Sequence, residues 1–534
     1  MTRVTGTRGV TFILDRLLWL SLSILLIALS FPGRPLPLLV CLTLAPVMIA
    51  SINLSAFKGA ALYFIWALLW WLGAIWWLAP ALSRFAQVPM ISSALLLILT
   101  CGVLALPYGI AGFLTRYYQW WNKPFNLIKI PLAFTVCTSL TPSLIPASPV
   151  NALYNFPILI QFADIGGVPL LVFLYAAFNV ACVNVYRHFS FNENHATPKI
   201  SNSRLFYKHI RVVFPVLLIP SLVLSYGWFR LPGPTPKIPT DSNTISIGYI
   251  QPNATVNDKL STLILQSKKL LQLPSPSPST LQRENIDLII WPEVPTSFSW
   301  ADNNYDRYRI KRYINEVNSH LIMVSGYRYA NSKNASDGFY NTAHFISPEG
   351  IQLSQYDKQH LVPFFEYLPF TNTAPWIKKW FPGSKNYLSG THPETFDFNI
   401  NLQLAPLICY EILFSDRVRD YKNLGATIII NPSNDGWFGA QGALSHLSIA
   451  MFRTIEYHMP LVRVGNTGIS TIINAHGEIS ENDTIPINKI SGNVVNVSAS
   501  HNATIYSLFG KWIHHITTLL FLLLLVIDRP RDRT

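Results

Sequence analysis

Three side chains in the second half of the chain are of the types that acyl transfer through a thioester requires. Cys409 is the only cysteine in this polar half, and it ends an apolar run that begins at Leu402. Glu293 follows another apolar run, and Lys358 lies in the aromatic-rich stretch 355–369. A thiol needs a base to become a nucleophile, and a fixed ammonium can stabilise either a thiolate or an oxyanion. The set therefore predicts covalent catalysis by a cysteine.

Other kinds of site fit the sequence poorly. The 13 histidines do not fall at metal-binding spacings, and Cys409 has no nearby cysteine with which to share a metal ion. A Gly-rich phosphate loop and a Gly-x-Ser-x-Gly motif are also absent from the sequence. We therefore expect no metal site.

The composition indicates a membrane protein with a polar domain attached. Half of the residues are hydrophobic (50%), only 13% are charged, and the mean hydropathy is +0.29. Soluble domains are usually about a quarter charged. The charged residues are also unevenly spread, since long apolar runs fill most of the first half.

Apolar runs long enough to span a bilayer, about 20 residues, recur in the first half and once near the end. Eight are predicted as spans: residues 12–31, 35–53, 58–79, 89–115, 127–146, 164–186, 210–227 and 512–527. Residues 228–511 contain no such run. We therefore expect a membrane domain at 1–230, an outer domain at 231–511, and a last helix with a basic tail at 512–534.

The charges of the loops predict the orientation of these spans. With eight spans, both ends of the chain lie on one side of the membrane. That side holds Arg3, Arg8, Lys58, Arg116, Lys123, Lys129, Arg187, Lys199, Arg204, Lys208, Arg529, Arg531 and Arg533. The opposite short loops hold only Arg34 and Arg84. Cytoplasmic loops carry the excess of Lys and Arg, so we expect cytoplasmic termini and a periplasmic outer domain in a multi-pass protein of the bacterial inner membrane.

The lysines and arginines of these loops, which orient the spans, account for much of the net charge of +13. The charge therefore does not indicate nucleic-acid binding.

Within the outer domain, short runs rich in Ile, Leu and Val alternate with amphipathic helical patterns. Predicted strands are 244–250, 286–290, 321–326, 342–346, 402–409, 427–431, 461–464, 469–473 and 494–497. This alternation predicts an α/β domain in which helices cover sheets.

Four ordered motifs resemble a known family. They are Trp291-Pro-Glu293, the stretch from Tyr356 to Pro363 around Lys358, Ile408-Cys-Tyr-Glu411, and Asn431-Pro-Ser-Asn-Asp-Gly-Trp-Phe-Gly439. Together with the eight spans and Ser30-Phe-Pro32, they resemble the nitrilase superfamily and its membrane-bound branch, apolipoprotein N-acyltransferase. The resemblance implies an α-β-β-α sandwich joined to a polytopic α-helical membrane domain.

The resemblance also implies roles for individual residues. Glu293 would be the general base, Cys409 the nucleophile and Lys358 the group that stabilises the oxyanion, with help from the backbone N–H of Tyr410. Further residues implied to support the site or to bind substrate are Glu366, Tyr410, Glu411, Asn434 and Trp437. No cofactor is implied.

The implied reaction has two steps and two lipid substrates. Cys409 would take an acyl chain from a phospholipid, with phosphatidylethanolamine as the favoured donor. The chain would then pass to the N-terminal diacylglyceryl-cysteine of an apolipoprotein, the last step of lipoprotein maturation. We expect ping-pong kinetics and a monomer embedded in the membrane.

Two other functions remain open at this stage. A membrane-tethered amidase or nitrilase-like hydrolase would use the same three residues with water as the acceptor. A transporter or receptor with an outer ligand-binding domain is a third interpretation. Transporters tend to carry ionisable residues inside their spans, and the spans predicted here hold few of them.

Overall fold

The computed structural model describes residues 4–141, 144–192, 202–232, 243–254, 260–272, 286–293, 300, 304–330, 338–371 and 373–529. The contacts within the chain divide it into two compact units. One unit comprises Met1–Trp76, Leu95–Leu231 and Leu508–Thr534, and the other comprises Trp77–Ala94 and Pro232–Ser507.

The first unit is helical. Its helices are α1 (Val4–Ser30), α2 (Leu44–Ala50), α3 (Ala56–Ile75), most of α5 (Met90–Tyr117), α6 (Asn126–Ser139), α7 (Pro157–Ile160), α8 (Ala163–Asn192), α9 (Asn202–Arg230) and nearly all of α14 (Ile505–Ile527). Within the described residues, five helical segments are long and apolar enough to cross a membrane: Ala56–Ile75, Met90–Tyr117, Ala163–Ser190, His209–Arg230 and Ile505–Ile527. These five correspond to predicted spans, which confirms a helical membrane domain.

Two of the eight predicted spans form shorter helices than expected. Residues 35–53 form a 3-10 turn, Pro37–Leu42, followed by the seven-residue helix α2. Pro46 lacks the N–H that a helix continuing from that turn would need. The span predicted at 127–146 ends as helix α6 at Ser139, shortly before two prolines at 142 and 146. The helices at these two places are therefore shorter than the apolar runs that predict them.

In the part of the second unit that the structure describes, the strands form two sheets. Its strands are β1 (Thr244–Gln251), β2 (Leu288–Ile290), β3 (Ile322–Tyr329), β4 (Phe339–Ile346), β5 (Gln352–Asp357), β6 (Phe396–Asn399), β7 (Leu402–Pro406), β8 (Ile428–Ser433), β9 (Leu461–Gly465), β10 (Thr471–Ile473) and β11 (Ser491–Ser498). The six-stranded sheet has the order β11-β1-β2-β3-β4-β5, and the five-stranded sheet has the order β10-β9-β8-β7-β6. Its helices are α4 (Leu78–Phe85), α10 (Leu260–Gln272), α11 (Asn304–Glu316), α12 (Ser415–Asn423) and α13 (Gly439–Tyr457).

Each sheet has a core of parallel strands. Strands β1, β2 and β3 run parallel in the first sheet, and β7, β8 and β9 run parallel in the second. Helices α10 and α11 cover the first sheet with a cluster of buried apolar side chains that includes Leu263, Ile289, Ile310, Tyr313 and Ile322. The predicted sheets covered by helices are thus confirmed.

The parallel strands also determine where chemistry can be placed. Carboxyl ends of neighbouring parallel strands meet at one sheet edge, where loops can converge. Glu293 follows β2, and Cys409 follows β7. Lys358 directly follows β5, which pairs with β4 in the first sheet.

The second unit also includes Trp77–Ala94, which lies within the region 1–230 that hydropathy assigns to the membrane domain. The ring of Trp77 meets the ring of Phe438 edge to face, with centroids 5.0 Å apart. The backbone N–H of Gly383 donates to the carbonyl of Ala86 over 3.1 Å. Apolar runs alone cannot reveal such packing, because it depends on partners that are distant in the sequence.

Candidate active site

Lys358 lies between two buried carboxylates. Its side chain is 0% exposed, and its ammonium donates to Glu293 Oε1 over 3.1 Å and to Glu366 Oε1 over 2.8 Å. The amide of Asn341 also donates to Glu293 Oε1, over 2.8 Å, and the N–H of Val362 donates to Glu366 Oε2 over 2.7 Å. The ammonium is thus fixed in position by hydrogen bonds from two directions.

This arrangement keeps Lys358 charged. Burial alone would lower the pKa of its ammonium, but Glu293 and Glu366 outweigh burial and hold that pKa well above its ordinary value. Burial raises the pKa of the Glu366 carboxyl, and Lys358 opposes the rise only in part. A permanent cation next to a nucleophile can stabilise the oxyanion that forms during acyl transfer.

Cys409 begins a 3-10 turn, Cys409–Leu413, just beyond strand β7. Its φ is +51°, a left-handed conformation that non-glycine residues seldom adopt. The amide of Asn431 holds this backbone in place, because it donates to the carbonyls of Leu407 (2.6 Å) and Cys409 (3.1 Å). Strained backbone of this kind is concentrated at functional sites. The turn ends the predicted strand 402–409 three residues early.

The charges of Glu293 and Lys358 both act on the pKa of the Cys409 thiol. Burial raises the pKa of the thiol far above its ordinary value, the Glu293 carboxylate adds to the rise, and the Lys358 ammonium opposes it. The resting group is therefore a neutral thiol near pH 7, and it needs a base before it can attack. Lys358 opposes the rise in the pKa of the thiol but does not outweigh burial and Glu293.

Glu411 connects the turn at Cys409 to the loop that carries Lys358. Its Oε1 accepts hydrogen bonds from the Tyr356 hydroxyl (2.7 Å) and from the N–H groups of residues 359 and 360 (2.8 and 3.0 Å). Its Oε2 accepts from the N–H of Ile408 over 2.8 Å. Burial raises the pKa of this carboxyl, and these donors oppose the rise. Glu411 thus links the turn at Cys409 to the residues on either side of Lys358.

The remaining predicted residues lie around this centre. Tyr410 is buried, and its ring stacks on His360 with centroids 5.4 Å apart. Burial lowers the pKa of His360 to about 4, so that its ring is neutral at physiological pH. Asn434 accepts a 3.4 Å hydrogen bond from the amide of Asn466. The side chain of Trp437 lies outside what the structure describes.

A buried charged network behind the thiol was missed by the sequence reasoning. The Ser433 hydroxyl lies 3.4 Å from Cys409 Sγ and 2.9 Å from Asp435 Oδ1. Arg463 forms an ion pair with Asp435 and donates to Asn431 Oδ1 over 2.7 Å. The signal was present in the sequence, since Arg463 is a charged residue within the apolar strand Leu461–Gly465. A buried charge in a strand indicates a partner that the fold must supply.

Two family models match the chain, each over one of its regions. The model of the apolipoprotein N-acyltransferase N-terminal domain matches residues 23–181, and that of carbon-nitrogen hydrolase matches residues 247–484.

Among similar proteins, an apolipoprotein N-acyltransferase of Geobacter metallireducens is 28% identical over 86% of this chain and 85% of its own length. One of Rickettsia bellii is 29% identical over 77% of this chain and 83% of its own length. Among solved structures, an amidase from Nesterenkonia sp. is 15% identical and covers 48% of this chain and 90% of that chain, with a TM-score of 0.36. Because the two family models match in sequence order and the relatives match across both regions, this chain belongs to the apolipoprotein N-acyltransferase branch of the carbon-nitrogen hydrolase superfamily.

Proposed function

We propose that this protein transfers an acyl chain from a phospholipid to the N-terminal diacylglyceryl-cysteine of apolipoproteins through a thioester on Cys409. One observation carries the proposal: the buried Glu293–Lys358 pair acts on the pKa of a buried thiol at a strained turn. The helices of the membrane domain and the names of the relatives, apolipoprotein N-acyltransferase, support lipid substrates.

In the first half-reaction, the Glu293 carboxylate takes the proton of the Cys409 thiol. The thiolate attacks the ester carbonyl carbon of the phospholipid, and the Lys358 ammonium stabilises the oxyanion of the tetrahedral intermediate. The carbon–oxygen bond then breaks, and Glu293 returns the proton to the departing oxygen. The products are a lysophospholipid and an acylated cysteine.

In the second half-reaction, the α-amine of the diacylated acceptor attacks the thioester and loses a proton to Glu293. The carbon–sulfur bond breaks, an amide forms, and Glu293 gives the proton back to the sulfur. The two half-reactions share one base and one oxyanion-stabilising group, so ping-pong kinetics are expected.

Water must not replace the acceptor amine, or the enzyme would become a phospholipase. Burial of the nucleophile supports exclusion of water, because Cys409 is only 5% exposed. Hydrolysis by the same three residues is therefore the alternative outcome that any assay of this protein must separate from transfer.

The partners and the location follow from the same proposal. The donor is phosphatidylethanolamine, no cofactor takes part, and the protein acts as a monomer. It lies in the bacterial inner membrane with the outer domain in the periplasm and both termini in the cytoplasm. Support for this orientation comes from the loop charges, since the basic residues are concentrated on the side of the termini.

The proposal is tested by intact-mass measurement of the purified protein after exposure to phosphatidylethanolamine. We expect a fatty-acyl mass increase that maps to Cys409, disappears with hydroxylamine and does not form in Cys409→Ala. Addition of a diacylated lipopeptide should then move the acyl chain to its amine. Release of free fatty acid instead would favour the hydrolase, and the absence of any adduct on the folded protein would refute the proposal.

A further inference from the structure

The hydroxyl of Ser433 lies between the nucleophile and a buried anion. Its oxygen is 3.4 Å from Cys409 Sγ and 2.9 Å from Asp435 Oδ1, and both contacts have geometry in which the hydroxyl can donate. Arg463 Nη2 lies 3.4 Å from the same oxygen and also forms an ion pair with Asp435. All four side chains are buried, so water does not compete for these bonds.

A serine hydroxyl has one proton, and it can therefore satisfy only one of the two acceptors at a time. Burial alone would raise the pKa of Asp435, but Arg463 and His446 outweigh burial and hold that pKa well below its ordinary value. Asp435 is thus a carboxylate at neutral pH, whereas the neutral thiol is a weak acceptor. In the resting enzyme the Ser433 hydroxyl therefore donates its hydrogen bond to Asp435.

Formation of the thiolate changes this balance. A negative sulfur accepts hydrogen bonds far more strongly than a thiol, because hydrogen bonds to charged groups are about twice as strong as neutral ones. Asp435 can give up its bond from Ser433 at small cost, since Arg463 remains paired with it. A rotation about one side-chain bond of Ser433 is enough to redirect the proton.

We propose that the Ser433 hydroxyl is a catalytic hydrogen-bond donor that alternates between Asp435 and the sulfur of Cys409, and that it donates to the sulfur only while the sulfur is a thiolate. The bond is absent from the thiol and from the acyl-thioester, which are the resting states on either side of each half-reaction. It is present when the thiolate attacks and again when the thiolate is expelled. An interaction of this kind raises rate constants without tightening ground-state binding.

This inference rests on the proposed thioester mechanism for its role in catalysis, but the hydrogen bond itself can be measured without any lipid. The charged groups that face the sulfur are Glu293, Lys358 and Asp435, with Glu366 and Arg463 one contact further away. A substitution of Ser433 removes none of these charges, and Asp435 keeps its ion pair with Arg463 when it loses the hydrogen bond from Ser433. A shift in the titration of Cys409 would therefore report the hydroxyl.

The experiment compares Ser433→Ala with the wild type, and Ser433→Thr with Ser433→Val. Thr and Val have the same shape, and only Thr carries a hydroxyl, so this pair controls for packing if Ser433→Ala folds poorly. The rate of alkylation of Cys409 by iodoacetamide is followed against pH in the full-length protein in detergent, with the modified peptide identified by mass. Single-turnover acylation by phosphatidylethanolamine and transfer to a diacylated lipopeptide are then measured on the same samples.

We expect loss of the hydroxyl to raise the apparent pKa of Cys409 by about one to two units, so that alkylation below that pKa slows by about 10- to 100-fold. Both half-reactions should slow by a similar factor with unchanged KM for the phospholipid, and Ser433→Thr should retain most of each rate. Coincident alkylation profiles in the folded Thr and Val variants would overturn the inference. The Thr and Val variants could also differ in alkylation while the wild type forms no acyl adduct. That result would refute the proposed function and would still support the hydrogen bond from Ser433 to the thiolate.

Discussion

The carboxylate of Glu411 accepts a 2.7 Å hydrogen bond from the hydroxyl of Tyr356, and this bond joins two segments of the site. Glu411 belongs to the turn that begins at Cys409, and Tyr356 lies in the strand that ends just before Lys358. Two backbone N–H groups that follow Lys358 donate to the same oxygen. One buried carboxylate therefore connects the turn that begins at Cys409 to the residues that flank Lys358.

Replacement of Glu411 by Gln should weaken the connection between these two segments. The amide NH2 of Gln would face N–H donors, so at least one buried donor would lose its acceptor, at a cost of about 1–3 kcal/mol. We expect a lower midpoint of thermal unfolding and slower acylation of Cys409 by phosphatidylethanolamine. Tyr356→Phe removes only one of the four bonds and should show a smaller effect on both measurements. Equal acylation rates in Glu411→Gln and the wild type would show that the carboxylate has no positioning role.

Substitution of Lys358 should lower both the stability of the protein and the rate at which Cys409 is acylated. Lys358→Met leaves Glu293 and Glu366 buried together without a cation, which should destabilise the protein by about 3–5 kcal/mol. Acylation of Cys409 should fall by at least about 100-fold, the usual cost of losing one oxyanion-stabilising group. The measurements are thermal unfolding and single-turnover acylation monitored by mass.

A second substitution separates these two effects. Glu366→Gln added to Lys358→Met removes one of the two unpaired carboxylates and should recover part of the lost stability. It should not recover acylation, because the oxyanion still lacks its cation. Recovery of acylation in the double variant would show that Lys358 serves only the fold.

The fold could be predicted where strands are buried and apolar. Strands β2 and β8 were visible in the sequence, because their apolar residues lie in the interior of the sheets. Strands β5 and β6 were not predicted. They form the outer edges of the two sheets, and their partly exposed polar residues give no apolar run. The opposite edge strands, β10 and β11, overlap the predicted strands 469–473 and 494–497, which are rich in Ile and Val.

Site residues that follow apolar runs could be predicted, and buried contacts between distant segments could not. Glu293 and Cys409 stand at the ends of apolar runs, where catalytic groups are often found, and the structure brings them together with Lys358. Their catalytic roles remain predictions. The network of Ser433, Asp435 and Arg463 was missed because Arg463, in strand β9, lies far along the chain from Ser433 and Asp435 at the end of β8. Its geometry depends on the register between β8 and β9, which composition does not reveal.

The raised pKa of the Cys409 thiol predicts how stability changes at alkaline pH. In the unfolded chain a cysteine thiol ionises at about pH 8.5, whereas burial and Glu293 keep the native thiol protonated well above that value. Above pH 8.5 the native state therefore binds more protons than the unfolded state, and the free energy of unfolding falls as pH rises. We expect the wild type to lose more stability than Cys409→Ala between pH 8 and 10, as measured by thermal unfolding. Parallel losses in the two proteins would contradict the shift.

The 3-10 turn Pro375–Lys379 and the residue that follows it expose two aromatic side chains. Residues Trp376 and Trp380 are 55% and 62% exposed, and their rings lie edge to face with centroids 5.3 Å apart, next to Lys378 and Lys379. Trp favours the interface between water and lipid, and lysine side chains extend to the headgroups there. We therefore expect this turn to contact the bilayer surface from which the donor is taken.

Substitution of both Trp376 and Trp380 by Ser should raise the KM for phosphatidylethanolamine in vesicles severalfold. Acylation by the soluble ester p-nitrophenyl butyrate should not change, because that substrate does not have to be taken from a membrane. Tyr305→Ser and Tyr308→Ser on the exposed side of helix α11 provide a control that removes surface aromatic rings elsewhere in the outer domain. If the Trp and Tyr variants raise the vesicle KM equally, the turn has no specific contact with lipid. If both substrates are affected in the Trp variant, the turn supports the fold of the site instead, since a membrane contact cannot slow the reaction of a soluble ester.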